Sequence, residues 1–131
     1  MNNNDKQQQI LKPLIDKKVL RDVVLKNKNG FTYNIDLKPS KFKRGYYVSI
    51  TNNNDNDLNK AIDNLNKIYA KNFNKDNRDF LFIGGWVDEQ DKTFYLDLSL
   101  HLNNKQNALF IAKLFNQKAI WDIKNFKEIR L

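Results

Sequence analysis

The chain has 131 residues, is 40% apolar and contains no cysteine. A chain of this length can bury its own core, so we expect a single domain over 1–131. The lack of cysteine excludes a disulfide framework and a thiolate metal site, and it suits a reducing cytosol. The polar first nine residues lack the apolar centre of a signal peptide, and no stretch approaches the roughly 18 apolar residues of a membrane span. We therefore expect no membrane partner.

The positive charge is concentrated near the N-terminus. Residues 1–50 carry 11 Lys and Arg against 4 Asp and Glu, whereas residues 51–131 carry 12 against 11. This asymmetry favours an anionic partner approached from one side. Part of it is also typical of an AT-rich genome, because the chain has 21 Asn and 19 Lys against 4 Arg. The presence of only 2 Glu, whose codons are comparably AT-rich, argues that some of the charge is selected.

The first elements are predicted from short patterns. Residues 1–16 are expected to form a loose arm or a short helix, interrupted by Pro13. The β-branched, apolar stretch 19–26 predicts a strand, and the Asn-Lys-Asn-Gly turn at 27–30 joins it to an alternating strand over 31–37. We therefore predict a basic N-terminal hairpin.

The remaining elements follow from periodicity and capping residues. In chain order they are a basic loop over 38–45, a strand over 46–51, an amphipathic helix over 57–73, strands over 80–87 and 93–102, a helix capped by Asn103 or Asn104, a strand over 119–123 and a closing segment over 126–131. The order βββ-α-ββ-α-β predicts an α+β domain, with a mainly antiparallel sheet of about six strands and two helices packed on one face.

A recognisable pattern occupies the C-terminal part of the chain. It comprises Ile83-Gly84-Gly85-Trp86-Val87-Asp88, Tyr95-Leu96-Asp97-Leu98-Ser99, Ala108 and Asn116-Gln117-Lys118-Ala119-Ile120-Trp121-Asp122. Over residues 82–131 the chain resembles a small domain of uncharacterised proteins encoded by bacteriophages and mobile elements. The resemblance implies an accessory protein in the cytoplasm of a bacterial host, and it brings no catalytic residues. Accessory proteins of this origin often act against host defence, as inhibitors of CRISPR or restriction complexes or as sponges for signalling nucleotides.

The basic loop is the strongest candidate for a binding site. Cations neutralise phosphates, and an exposed aromatic ring lets a base stack on it. The candidate anion- or nucleic-acid-binding residues are Lys38, Lys41, Phe42, Lys43, Arg44 and Tyr47. The alternative is a solvated loop whose lysines serve solubility, with its phenylalanine packed in the core. Because lysine favours diffuse phosphate contact over bidentate reading of bases, we expect weak sequence specificity and affinity that falls steeply with salt.

A possible ligand face is the second candidate. Its residues are Gly84, Gly85, Trp86, Tyr95, Asp97, Ser99 and His101. A carboxylate, a hydroxyl and an imidazole on one surface suggest catalysis, but neighbours two apart on a strand lie about 7 Å apart, beyond direct hydrogen bonding. The ordinary alternative is the polar outer face of a half-solvated strand. We therefore predict no catalytic residue.

Two further features of the sequence could indicate a ligand or metal site. The paired glycines 84–85 indicate a bulge, a close approach by a ligand or partner, or room for an aromatic ring on a neighbouring strand, and we favour the ring. Asp122 alternates to the polar side of its strand, where it could approach Asp97 and share a Mg²⁺ ion. No third acid or lysine is placed nearby, so neither a metal nor a cofactor is predicted.

These observations lead to a function based on binding rather than catalysis. The leading hypothesis is a counter-defence inhibitor, for example of the anti-CRISPR type, that engages a host defence protein, a nucleoprotein or another anionic target through the basic hairpin and loop. The alternatives are a general nucleic-acid-binding accessory protein and an oligomeric sponge for a signalling nucleotide. In a sponge, Phe42 or Trp86 would stack on a base at an oligomer interface. An enzyme ranks third.

Overall fold

A computed structural model describes residues 15–74 and 76–131. Three α-helices and six strands form in the order α1, β1, β2, α2, β3, β4, α3, β5, β6. Their bounds are α1 Lys17–Lys26, β1 Phe31–Asn34, β2 Tyr46–Ser49, α2 Leu58–Asn72, β3 Phe82–Val87, β4 Phe94–Leu102, α3 Lys105–Leu114, β5 Ala119–Asp122 and β6 Lys127–Arg130, with a 3₁₀ turn at Arg78–Phe80. Most of the predicted N-terminal arm, residues 1–14, lies outside the described residues.

The six strands form one sheet in the order β1-β3-β4-β2-β5-β6, and every neighbouring pair is antiparallel. Side chains that lie opposite each other across paired strands share a face. Ile83 lies opposite Leu98, and Val48 lies opposite Leu100. These side chains point to the face on which the helices pack, which we call the helix face; the opposite side is the second face. The predicted α+β class and strand count are confirmed.

The stretch 19–26 is helical, so the predicted first strand and its hairpin are wrong. The side chain of Asp16 accepts a hydrogen bond from the backbone N–H of Val19, which caps the start of α1. Leu20, Val23 and Val24 are buried, and their spacing matches one side of a helix. The β-branched composition favoured a strand, but the spacing of the buried residues decided the outcome. The chain therefore has three helices rather than two.

The other two helices confirm their predicted positions and caps. Asp57 accepts hydrogen bonds from the backbone N–H groups of Asn59 and Lys60 at the start of α2, and Asn104 accepts one from Asn107 at the start of α3. These caps satisfy backbone donors that have no partner inside a helix.

Two apolar clusters pack between the helices and the helix face. The larger cluster joins α1 and α2 to β3 and β4, and the smaller joins α3 to β2 and β5. Burial of these side chains is the main source of folding free energy. All three helices thereby cover one face and leave the second face to the loops.

Two other segments differ from their predicted structure. The strand predicted over 31–37 stops at Asn34, because Leu37 adopts a positive φ of 62° in a turn closed by its N–H on the carbonyl of Asn34. The closing segment 126–131 contains β6, which pairs with β5 at the edge of the sheet. The count of six strands therefore holds, although one predicted strand is a helix and the closing segment supplies the replacement.

Candidate nucleic-acid interface

The basic loop crosses the second face of the sheet, and we call residues 38–45 the strap. At one side the backbone N–H of Ser40 donates to the carbonyl of Thr32 on β1 at 3.1 Å. At the other side the carbonyl of Gly45 accepts from the N–H of Ile123, just after β5, at 3.0 Å. Because Gly45 directly precedes β2 and its contact with Ile123 continues the β2–β5 pairing, the strap runs from β1 to the start of β2 and crosses β3 and β4.

An aromatic stack holds the middle of the strap. The ring of Phe42 lies parallel to the imidazole of His101, with centroids 3.5 Å apart and planes 6° apart, and meets Phe82 edge-on at 5.7 Å. Nε2 of His101 lies 2.9 Å from the carbonyl oxygen of Arg44. A carbonyl oxygen can only accept, so Nε2 is the donor and carries a proton. His101 therefore holds the strap against the sheet through both the ring stack and the hydrogen bond.

Close packing continues around the stack. The hydroxyl of Tyr47 hydrogen bonds to the side chain of Ser40, and burial raises the pKa of Tyr47. At Gly45 the φ angle is 96°, and an added Cβ would lie 2.5 Å from Nε2 of His101. Only glycine fits this position without strain. Tyr47 thus lies beneath the strap rather than on its outer side.

The cations of the strap point outward and are not neutralised by neighbours. The exposed residues are Lys38, Lys41, Lys43 and Arg44. None forms an ion pair with any residue in 15–74 or 76–131. Phe42 is 46% exposed, so it is neither wholly solvated nor buried in the core. The strap ends beside a groove that also contains Lys124, a residue that sequence reasoning did not select.

The possible ligand face is largely filled by the protein itself. Tyr95, Asp97 and Ser99 are buried, and Gly85 is buried as well. The ring of Trp86 stacks on Tyr95 at 4.9 Å, and Nζ of Lys118 lies 5.5 Å from the centre of the same ring. A ligand role for these residues therefore stays a prediction, and a ligand would first have to displace these contacts.

The paired glycines provide room for an aromatic ring, the explanation that sequence reasoning favoured. Phe31 on β1 lies opposite Gly85 on β3, and a Cβ at Gly85 would collide with the Phe31 ring. A Cβ at Gly84 would lie 3.2 Å from the hydroxyl oxygen of Ser99. Both positions pack against neighbouring strands of the same chain.

Asp97 has an unusual environment for a carboxylate. Its Oδ1 accepts from the hydroxyl of Thr51 at 2.6 Å and from the backbone N–H of Asn53 at 2.8 Å. Its Oδ2 has no hydrogen-bond partner among the residues that the structure describes. Burial raises the pKa of Asp97 to about 6, although the hydrogen bonds from Thr51 and Asn53 favour the charged form.

Asp97 and Asp122 do not approach each other, and the predicted placement of Asp122 on the polar side of its strand is wrong. Asp122 lies opposite Tyr46, which is opposite Leu102 and therefore on the helix face. Asp97 lies on the second face, and the carboxylates are separated by the sheet. The described ranges contain no group of three or more His, Cys, Asp or Glu arranged to hold a metal ion.

Comparisons with known proteins add no identification. Scans against protein-family models, curated proteins and solved structures find no match. Among residues 15–74 and 76–131, no helix has both the length and the apolar content needed to cross a bilayer. The assignment of a function therefore depends on the strap and its surroundings.

Proposed function

We propose that the protein binds nucleic acid along the outer side of the strap, with Lys38, Lys41, Lys43 and Arg44 contacting backbone phosphates. One observation carries this proposal: four exposed cations without an ion-pair partner among the described residues lie on one segment that is tied to the sheet. Phosphate neutralisation by such cations releases counterions and provides most of the affinity of non-specific nucleic-acid binding.

Attachment of the strap strengthens the argument. Hydrogen bonds at Ser40 and Gly45 and the stack of Phe42 on His101 hold its two ends and its middle. A segment that is ordered before binding loses less conformational entropy when its partner arrives. The strap is therefore better suited to binding than a free, solvated loop would be.

The length of the strap favours a polymer over a small anion. Its two attachments lie on β1 and at the start of β2, three strand spacings apart, which corresponds to about 14 Å. Successive phosphates of a helical strand rise by about 3.4 Å, so the strap can meet several of them. The exposed part of the Phe42 ring offers a surface on which a base can stack.

The counter-defence role remains the proposed biological setting and has its source in the sequence resemblance. A host nucleoprotein would present the same phosphates to the strap as free nucleic acid does. An inhibitor should form a stoichiometric complex with one host component, whereas an accessory protein should bind many sequences with affinity that falls with salt. The partner specificity of the strap therefore separates these two functions.

Charge reversal on the strap tests the proposal directly. The triple variant Lys41→Glu, Lys43→Glu and Arg44→Glu is compared with a control in which three exposed lysines of α2 (Lys60, Lys67 and Lys71) become glutamate. Binding to fluorescent 20-mers is measured from 50 to 300 mM salt. We expect the strap variant to lose at least about 100-fold in affinity and the control to lose less than about fivefold, since both change the net charge equally.

Two results would contradict the proposal. The wild-type protein could fail to bind either single or double strands at low salt, which would leave a host protein or a small nucleotide as the partner. Alternatively, the two triple variants could weaken binding equally, which would mean that net charge rather than the strap is responsible. Circular dichroism of each variant verifies that the fold is intact.

A further inference from the structure

A groove of about 400 Å³ lies at the end of the strap, where the ends of β2, β4 and β5 come together. Residues from three distant parts of the chain line it. Its polar and charged lining includes Arg44, Asn103, Asp122, Lys124 and Asn125. Two of them are cations and two carry side-chain amides, so the groove offers mainly hydrogen-bond donors and positive charge.

One backbone hydrogen bond brings the cations together. The N–H of Ile123 donates to the carbonyl of Gly45 at 3.0 Å. Arg44 precedes one of these residues and Lys124 follows the other, so both cations flank this contact. Both are exposed, and neither has an ion-pair partner among the described residues.

The carboxylate in the groove builds the turn rather than neutralising these cations. Oδ1 of Asp122 accepts from the backbone N–H of Asn125 at 3.2 Å, and Oδ2 accepts from its side-chain amide at 2.8 Å. These hydrogen bonds hold the pKa of Asp122 below its ordinary value. Lys127, which pairs with Asp122 in the β5–β6 register, also favours the charged form of Asp122. Arg44 and Lys124 therefore remain available to an external anion.

We propose that this groove holds one unpaired nucleotide of a bound strand, with its phosphate between Arg44 and Lys124. The inference rests on the proposed function and narrows its partner to single-stranded nucleic acid. A volume of 400 Å³ is at the lower end of ligand sites, which fits one nucleotide, whereas a duplex cannot enter a space of this size. Asn103 can both donate to and accept from a sugar or a base edge, and Asn125 keeps its carbonyl oxygen for the same purpose.

The test removes one charge from the groove and a matching charge elsewhere. Lys124→Gln is compared with Lys60→Gln, an exposed position on α2 in the helix layer, and with the conservative variant Lys124→Arg. The probes are a fluorescent single-stranded 12-mer and a blunt-ended 12-base-pair duplex, each titrated at several salt concentrations. Both probes carry the same label, so their affinities can be compared directly.

We expect Lys124→Gln to weaken binding of the single-stranded probe specifically. The wild type should bind the single strand more tightly than the duplex, and Lys124→Gln should weaken single-strand binding by about tenfold while changing duplex affinity by less than about twofold. Loss of one phosphate contact should also reduce the salt slope by about 0.7 for a single strand. Lys124→Arg should restore both quantities, and Lys60→Gln should change neither.

Each failure of the inference has its own signature. If wild-type binding is lost on strap reversal but Lys124→Gln behaves like Lys60→Gln, the groove is not used and the proposed function stands. If Lys124→Gln weakens both probes equally, selection of an unpaired nucleotide is wrong. If a free mononucleotide binds the wild type as tightly as the strand does, the strand is not the ligand. If the wild type binds no nucleic acid at low salt, both proposals fail.

Discussion

The two ends of the sheet use positive charge in opposite ways. At the end where β3 stops, the fully buried carboxylate of Asp88 lies 3.0 Å from Nζ of Lys118 and 3.3 Å from Nη1 of Arg130. At the end where β4 stops, the strap and Lys124 present exposed cations that have no ion-pair partner in residues 15–74 and 76–131. The same residue types are committed to the fold at one end and available to a partner at the other.

Under the proposed function, pairing rather than total charge distinguishes the cations that would bind a partner from those that stabilise the fold. The backbone N–H of Gln90 and the ammonium of Lys118 hold the pKa of Asp88 below its ordinary value. A buried charge without such partners is expensive, so the ion pair must be kept for the fold to survive. Lys118 and Arg130 contribute to the net charge of +8 but not to the proposed interface.

Asp97 is also a buried aspartate, but no cation in residues 15–74 or 76–131 forms an ion pair with it. Its hydrogen-bond partners are the neutral groups of Thr51 and Asn53. Desolvation therefore dominates and raises the pKa of Asp97, whereas the pKa of Asp88 is lowered. The pKa values of these two buried aspartates are thus shifted in opposite directions.

The largest effect on stability is expected from Lys118→Met. This change leaves Asp88 buried with Arg130 alone, and breaking a buried pair is strongly destabilising. We expect the Tm to fall by about 12 °C, measured by circular dichroism at pH 7. The control Lys113→Met, at an exposed position on α3 with no ion pair in the described ranges, should shift the Tm by less than about 2 °C.

Lys118→Met should also leave binding to the single-stranded probe within about twofold of the wild type, because this lysine is committed to Asp88 and Asp91. A binding loss as large as that of the strap variant would contradict the separation of the two ends.

The next effect is a pH dependence contributed by Asp97. Its pKa is about 6 in the folded protein and 3.8 ordinarily, so between these values the folded state keeps a proton that the unfolded chain releases. The raised pKa of Asp97 stabilises the folded state, and this contribution is largest below about pH 4. The contribution is about 3 kcal/mol in total, and it is lost as the pH rises to about 7. Asp97→Asn lacks this titration but keeps an acceptor oxygen for Thr51 and Asn53.

The measurement is urea unfolding of both proteins from pH 4 to pH 8. The wild-type free energy of unfolding minus that of Asp97→Asn should fall by about 2.5 kcal/mol over this range and become constant above about pH 7. The subtraction removes the contributions of other groups, including Asp88, whose lowered pKa changes stability in the opposite direction. Parallel profiles for the two proteins would show that Asp97 titrates normally.

The smallest of these effects is expected from Gly45→Ala at the end of the strap. The positive φ and the short approach to His101 both oppose a Cβ, so we expect the free energy of unfolding to fall by about 2 kcal/mol. Affinity for the single-stranded probe should fall as well, because the carbonyl of Gly45 positions Lys124 through Ile123. The neighbouring change Lys43→Ala should cost less than about 0.5 kcal/mol of stability. Equal stability losses for both variants would mean that the strap tolerates movement.

Much of the fold could be predicted because local patterns agree with the tertiary structure. The apolar spacing and the cap at Asp57 located α2 to within one residue of its observed bounds, and alternation located β4 equally well. The stretch 19–26 misled the prediction because its valines suit a strand, whereas their burial against the core follows helical spacing. Where composition and spacing disagreed, packing decided between them.

The candidate site was predictable only in part. The run of cations in residues 38–45 was visible in the sequence, but its route across the second face depends on partners such as Thr32, His101 and Ile123. Lys124 was missed because nothing in its local sequence distinguishes it from other lysines. Its significance comes from a hydrogen bond between Ile123 and Gly45, residues that are far apart along the chain.

By itself the sequence determined the class of fold, the positions of elements such as α2 and β4 and the location of excess charge, because these depend on local periodicity and composition. Only the tertiary structure decided which cations are paired, which carboxylate lies beside which partner and which loop covers the second face. Those features depend on contacts between distant residues and on the cost of burying charge, and neither is encoded in any short segment.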